Sequence, residues 1–193
     1  MKPSIILASS SKYRKALLSR LTIDFDCLSP EIDETPLLNE SAKLLATRLS
    51  LQKAKEIAES HIGAWVIGSD QVASSQEQII GKPNNFANAF EQLKSFSGKS
   101  VKFYTAVTLL NMSQEFCMTE VSKVDVFFRN LTDNEIERYL KLEQPYDCAG
   151  SFKVESLGIS LFESVESSDP TSLEGLPLIS LCRLFAKAGL KIL

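Results

Sequence analysis

The stretch "SIILASSSKYRKALLSRL", residues 4–21, constrains the fold more than any other part of the chain. Four consecutive apolar residues read as a short buried strand over 4–8. Three serines follow, and Tyr13, Ala16, Leu17, Leu18 and Leu21 then recur at helical spacing. The serines cap a helix predicted over about 12–21. A strand running through a polar turn into a helix leaves backbone N–H groups free at the helix start, and these bind anions. Lys12, Arg14 and Lys15 crowd into the first turn, where the macrodipole is already positive and disfavours cations. Their presence predicts a negatively charged partner from outside the chain, with Ser9, Ser10 and Ser11 facing it. Plain capping serines beside solvated cations are the alternative. The segment is not a Walker A loop, because the G-x-x-x-x-G-K spacing is absent.

The remaining chain keeps alternating. "CLSPEIDETPLLNES" (27–41) is a polar, proline-punctuated connection, and Asn39 or Ser41 starts a long helix reaching about residue 60. "AWVIGSDQV" (64–72) is an apolar strand interrupted at Gly68, Ser69 and Asp70. "GKPN" (81–84) is a turn. Phe86, Ala89, Phe90, Leu93 and Phe96 make the next helix amphipathic, and Gly98 ends it. Residues 101–111 and 121–129 read as two long antiparallel strands joined through a shorter one near 115–120. Thr132 and Glu135 form a capping box for a helix to about 143. "DCAGSFKVESLGISLFESV" (147–165) is a glycine-punctuated loop and then a strand, and "LPLISLCRLFAKAG" (176–189) a closing helix. No repeat or linker breaks the 193 residues, so 1–193 is read as one α/β domain with a mixed sheet.

Three further features carry chemistry. Leu45, Leu49, Lys53 and Ile57 are spaced by four, which puts the Lys53 ammonium on the stripe that faces the core. A snorkelling lysine fits this pattern; so does a lysine reaching into a cleft to meet a phosphate or carboxylate. Asp70 follows an apolar strand, where open α/β sheets place their ligands. The "GKP" turn adds Lys82, and the acidic connection adds Glu31, Asp33 and Glu34, each of which also suits an ordinary surface loop. His61 is the only histidine, which excludes His-pair metal sites. A Ser–His–Asp triad would depend on it alone, with no G-x-S-x-G to present the serine. Carboxylates, lysines, arginine and serines remain, an inventory suited to Mg²⁺ with polyphosphate.

Composition narrows the partners. A net charge of −3 supplies no general basic field for nucleic acid, so any anion site is local. The 44% hydrophobic content is enough for a sizeable core. Cys27, Cys117, Cys148 and Cys182 form no C-x-x-C pair and read as reduced, mostly buried thiols. No run approaches the ~18 apolar residues of a membrane span, so neither membrane nor secretory signal is expected, and a cytoplasmic location is.

Taken together, "ILASSSKYRKALL", "EIDET", "RLSLQKA", "GSDQV", "GKP" and "CAGSFKVE" resemble, in order and over nearly the whole chain, the Maf family of nucleotide pyrophosphatases. Within that family the chain is most similar to the YceF-like branch acting on 7-methyl-GTP. The resemblance implies a two-lobed α/β fold related to inosine triphosphatase, with a mixed sheet flanked by helices and a central cleft, commonly dimeric. It implies a nucleoside triphosphate substrate, split with Mg²⁺ or Mn²⁺ into monophosphate and diphosphate. Carried over by position, Asp70 is the proton acceptor, Glu34 and Asp70 hold metal, and Lys53 and Lys82 neutralise phosphate charge. Ser9, Ser10, Ser11, Arg14 and Lys15 bind the triphosphate. Lys15 stands where the family usually has a second arginine, which removes a planar fork. Tyr13, Gln71 and Glu155 match the positions associated with base choice; an aromatic face attracts the positive charge of N7-methylguanine, and Glu155 accepts from N1–H and N2–H₂. Tyr13 replaces the expected tryptophan. A pyrophosphatase for dTTP or UTP, a broader purine house-cleaning enzyme and a nucleotide-binding regulator of septation remain as alternatives. Nearby lysines and a metal would lower the Asp70 pKa, whereas a base works best with its pKa raised toward the working pH.

Overall fold

The computed structural model describes residues 4–192. Strand β1 (Ile5–Ala8) leads into helix α1 (Lys12–Ser19), followed by the short strand β2 (Asp26–Leu28) and the long helix α2 (Ala42–Ser60). Then come β3 (Trp65–Ser75), β4 (Gln78–Ile80), α3 (Phe86–Phe96), β5 (Ser100–Asn111), β6 (Phe116–Phe128) and α4 (Asp133–Glu143). Strand β7 (Phe162–Ser167) and helix α5 (Leu178–Lys187) close the chain, separated by a 3₁₀ turn at Pro170–Glu174. The strands form one mixed seven-stranded sheet in the order β2-β1-β3-β5-β6-β7, with β4 paired to β3. β1 runs parallel to β2 and β3, and the other pairings are antiparallel.

Strand periodicity assigns the faces. Ile5 and Leu7 of β1, with Trp65 and Ile67 of β3, pack against α1 and α5. Ile6, Ala8 and Val66 pack on the opposite face against Ala54, Ile57 and Ala58 of α2. Both faces of the central strands are thus covered, which is why these segments are continuously apolar. A second body of core lies at the other end of the same long strands, where Val101, Phe103, Val124 and Val126 meet Leu93 of α3 and Ile136 and Leu140 of α4. β3, β5 and β6 therefore run through both lobes, and the cleft opens beside them.

Several boundaries differ from the sequence reading. β6 is one strand paired along its whole length with β5, so the segment 115–120 contributes its first half rather than a separate strand. The Gly68-Ser69-Asp70 triplet interrupts nothing: β3 continues to Ser75. Glycine is tolerated there because a Cβ at Gly68 would run into the α2 backbone, 2.8 Å from Ala54 N and closer still to Ser50 O. Ser41 is the α2 cap, and the Thr132–Glu135 capping box is present at α4. The thiols are not mostly buried. Cys27 and Cys117 are exposed, Cys148 and Cys182 are half-buried, and all four are unpaired. Cys27 lies on the edge strand β2 and Cys117 at the start of β6. Among the described residues, no helix is long and apolar enough to cross a membrane.

Candidate active site

A cleft of about 970 Å³ opens where β1 ends. The β1–β3 pairing stops at Ala8 opposite Gly68, so Asp70, two residues further on, sits just past the carboxyl end of the parallel pair. Serines 9–11, Lys12, Tyr13 and Arg14 line the cleft from the β1–α1 turn, and Lys53, Asp70, Gln71, Lys82 and Glu155 line it from elsewhere.

At the anion end, Ser9 is buried and its Oγ accepts from the Ser11 N–H at 3.1 Å, while Ser11 caps α1 by accepting from the Arg14 N–H. The turn is held by its own hydroxyls before any ligand arrives. Arg14 donates from Nε to the Gly175 carbonyl at 2.9 Å and from one terminal nitrogen to Ser9 Oγ at 3.5 Å. Burial lowers the Arg14 pKa, and Asp70 and Glu34 oppose that shift; guanidinium remains charged in proteins. Lys15 is exposed and lies outside the cleft lining. Lys12, at the start of α1, lines the cleft together with Tyr13 and Arg14 instead.

The centre of the cleft holds one ammonium between two carboxylates. Lys53 Nζ lies 2.6 Å from Asp70 Oδ1 and 2.6 Å from Glu34 Oε1. Lys53 and Asp70 are only 7% and 6% exposed, so the sequence stripe that placed a lysine toward the core is explained by an ion pair rather than by snorkelling. Burial raises the Asp70 pKa, and the pull of Lys53 and Arg14 does not overcome it; Glu34 adds to the rise. Burial pushes Glu34 upward too, but Lys53, with Lys82 and Arg14, outweighs it and holds that carboxyl below its ordinary value. Two carboxylates on one ammonium are thereby driven apart in basicity, with Asp70 the more basic.

The other end of the cleft has a different character. Tyr13 is half-buried, and its hydroxyl pKa is raised by burial and by the negative influence of Cys148, Glu155 and Asp147. Glu155 and Asp147 line the cleft beside it. Gln71 follows Asp70 on β3 and therefore faces the opposite side of the sheet. Its amide nitrogen donates to Ser172 O at 2.8 Å, Leu173 O at 3.2 Å and Thr105 Oγ1 at 3.0 Å. Carbonyl oxygens only accept, so this amide orientation is fixed and Oε1 is the atom left for a ligand.

The segment after β7 was not singled out in the sequence, yet it organises both ends. The Gly175 carbonyl holds Arg14 and Ser69, and the Ser172 carbonyl holds Gln71 and Thr105. Buried Asp169 anchors this 3₁₀ turn by accepting from Thr171 Oγ1 and from the Ser180 N–H in the first turn of α5. Backbone carbonyls do this work, and they leave no mark in residue type. The one sequence signal available was the helix-breaking run "DPTSLEGLP".

Among the described residues, no group of three or more His, Cys, Asp or Glu side chains is arranged to hold a metal. Mg²⁺ does not require one: it binds through one or two carboxylates and substrate phosphates while keeping several waters. Glu34 and Asp70, both within 2.6 Å of the same ammonium, supply that hard-oxygen donor pair, so the residues present fit such an ion.

Comparison with known proteins identifies the family. A family model described as Maf-like protein matches residues 4–188. The chain is 51% identical over 189 residues to the 7-methyl-GTP pyrophosphatase of Xanthomonas oryzae pv. oryzae, covering 98% of each chain. It is 52% identical over 188 residues to the protein of the same name from Pseudomonas fluorescens, covering 97% of this chain and 98% of that one. Among solved structures, the Staphylococcus aureus Ham1 protein superimposes with a TM-score of 0.54 at 13% identity, covering 96% of this chain and 99% of the other, which supports the fold alone. A core-facing lysine between two carboxylates, a cationic serine turn and a family match over nearly the whole chain lead to one conclusion: this chain belongs to the Maf family.

Proposed function

We propose that this protein hydrolyses 7-methyl-GTP to 7-methyl-GMP and diphosphate. The observation that carries the reading is the charge layout of the cleft. Arg14, Lys53 and Lys82 act electrostatically on Glu34 at one part of it, whereas Glu155 and Asp147 act on Tyr13 at another. A ligand with a polyanionic tail and a positively charged base matches both ends, and 7-methyl-GTP is such a ligand. The names of the relatives from Xanthomonas and Pseudomonas support the same substrate.

In this reading the serine turn and Arg14 seat the triphosphate, and Lys53 and Lys82 stabilise charge that develops on it. A water attacking the α-phosphorus gives its proton to Asp70 while the bond to the bridging oxygen breaks and diphosphate leaves. The raised pKa of Asp70 suits proton acceptance better than that of Glu34. Glu34 and Asp70 would hold the divalent ion, which supplies neutralisation of the leaving diphosphate. Tyr13 takes the charged ring on its face, Gln71 offers Oε1 as an acceptor, and Glu155 accepts from the guanine N–H groups.

A panel of 7-methyl-GTP, GTP, dTTP, UTP, CTP and inosine triphosphate tests this, with diphosphate and phosphate assayed separately, Mg²⁺ or Mn²⁺ present, and a chelated control. Diphosphate release selective for 7-methyl-GTP and abolished by chelation is the expected result. Preference for dTTP or UTP would overturn the base assignment, and undiminished turnover in chelator would remove the metal.

A further inference from the structure

The aromatic face reserved for a cationic base already carries a cation. Lys12 Nζ lies 5.1 Å from the centre of the Tyr13 ring, within the range over which an ammonium is attracted by the ring quadrupole. Lys12 is exposed and lines the cleft. It is the first residue of α1, where the helix dipole repels it. The Tyr13 ring is a partner that offsets this repulsion. A methylated guanine and an ammonium are like charges competing for one face, while the serine turn immediately before Lys12 offers the same ammonium a triphosphate.

We propose that Lys12 is a specificity residue that senses how much phosphate the ligand carries. It rests against Tyr13, a triphosphate draws it toward the Ser9–Ser11 turn, and the freed ring face then receives the charged base. The product carries one phosphate instead of three, so it attracts Lys12 less, and the returning ammonium helps displace the base. The proposal rests on 7-methyl-GTP being the substrate, and it accounts for the cation at a helix position that disfavours one.

Lys12→Met keeps the stem and removes the charge, and Lys12→Arg keeps the charge. Equilibrium dialysis with Mg²⁺ would compare 7-methylguanosine, guanosine, 7-methyl-GMP and the unsplittable α,β-imido analogue of 7-methyl-GTP. Like charges about 5 Å apart in water repel enough for a several-fold effect. Lys12→Met should therefore bind 7-methylguanosine about threefold tighter and the triphosphate analogue about threefold weaker, with 7-methyl-GMP changing less than either. Guanosine should bind as in wild type, and Lys12→Arg should restore the wild-type pattern. Changes of the same sign for 7-methylguanosine and the triphosphate analogue, or an equal effect on guanosine, would overturn the proposal. Wild-type turnover of 7-methyl-GTP is measured alongside: its absence sinks the substrate assignment, whereas same-sign responses with turnover intact sink the role of Lys12 alone.

Discussion

Replacing Gly68 with alanine probes how the cleft is assembled. The added Cβ would stand 2.8 Å from Ala54 N and closer still to Ser50 O, both backbone atoms of α2, and real Cβ atoms do not approach below 3.0 Å. Neither atom can rotate away, so the helix must retreat by roughly 1 Å in a core already at van der Waals contact. Overpacking of this kind costs about 1–3 kcal/mol, which for a chain of this size lowers the melting temperature by about 2–12 °C. Lys53 belongs to the same turn of α2, so the retreat also stretches its 2.6 Å contact with Asp70 toward the limit of a hydrogen bond. Misplacement by about 1 Å at a catalytic constellation costs on the order of 100-fold in rate. Thermal melting and kcat/KM for diphosphate release, the latter measured well below the transition, read the two effects separately. A Gly68→Ala protein that melts and turns over like wild type would refute the close approach as a determinant. Lowered melting with full kcat/KM would show that α2 does not set the Lys53–Asp70 geometry.

Three further outcomes follow from particular contacts. Glu155→Gln removes the charge and keeps the shape, so kcat/KM should fall about 10-fold or more for 7-methyl-GTP and less for GTP; equal losses would show that the charge does not read the methylated base. Glu135 is held down to about 2 by the Thr132 backbone N–H, with Arg129 and the Thr132 hydroxyl adding to it. A folded pKa below the unfolded one stabilises the protein above the ordinary value of 4.5 and ceases to do so as pH falls toward 2. In urea unfolding, the gap between wild type and Glu135→Gln should close across that window, and a gap constant from pH 7 to pH 2 would count against the capping box as its source. The Cys148 thiol is pushed up to about 12, by burial first and then by Asp147, and Cys182 is also raised by burial. A thiol reagent at pH 8 should therefore label exposed Cys27 and Cys117 fast and the other two slowly; one uniform rate for all four would be the contrary result.

Short-range physics made part of this protein legible from residues alone. The serine turn, the cations behind it and the Thr132–Glu135 box depend on neighbours within one helical turn, and residue type records such contacts; it narrows the cap of α2 to Asn39 or Ser41, and the structure selects Ser41. The stripe Leu45, Leu49, Lys53, Ile57 likewise put an ammonium on the buried face of α2, because helical spacing is rigid. What that ammonium meets was decided only in three dimensions: Asp70 is 17 residues away and Glu34 lies in a different loop. The direction of the Asp70 pKa belonged to tertiary structure for the same reason. Opposing effects of burial and charge depend on depth and distance, and burial prevailed. The carbonyls of Ser172 and Gly175 hold Gln71 and Arg14 from 101 and 161 residues away. Every residue has a carbonyl, so a sequence marks neither which one is used nor where it points; the path of the folded chain decides that.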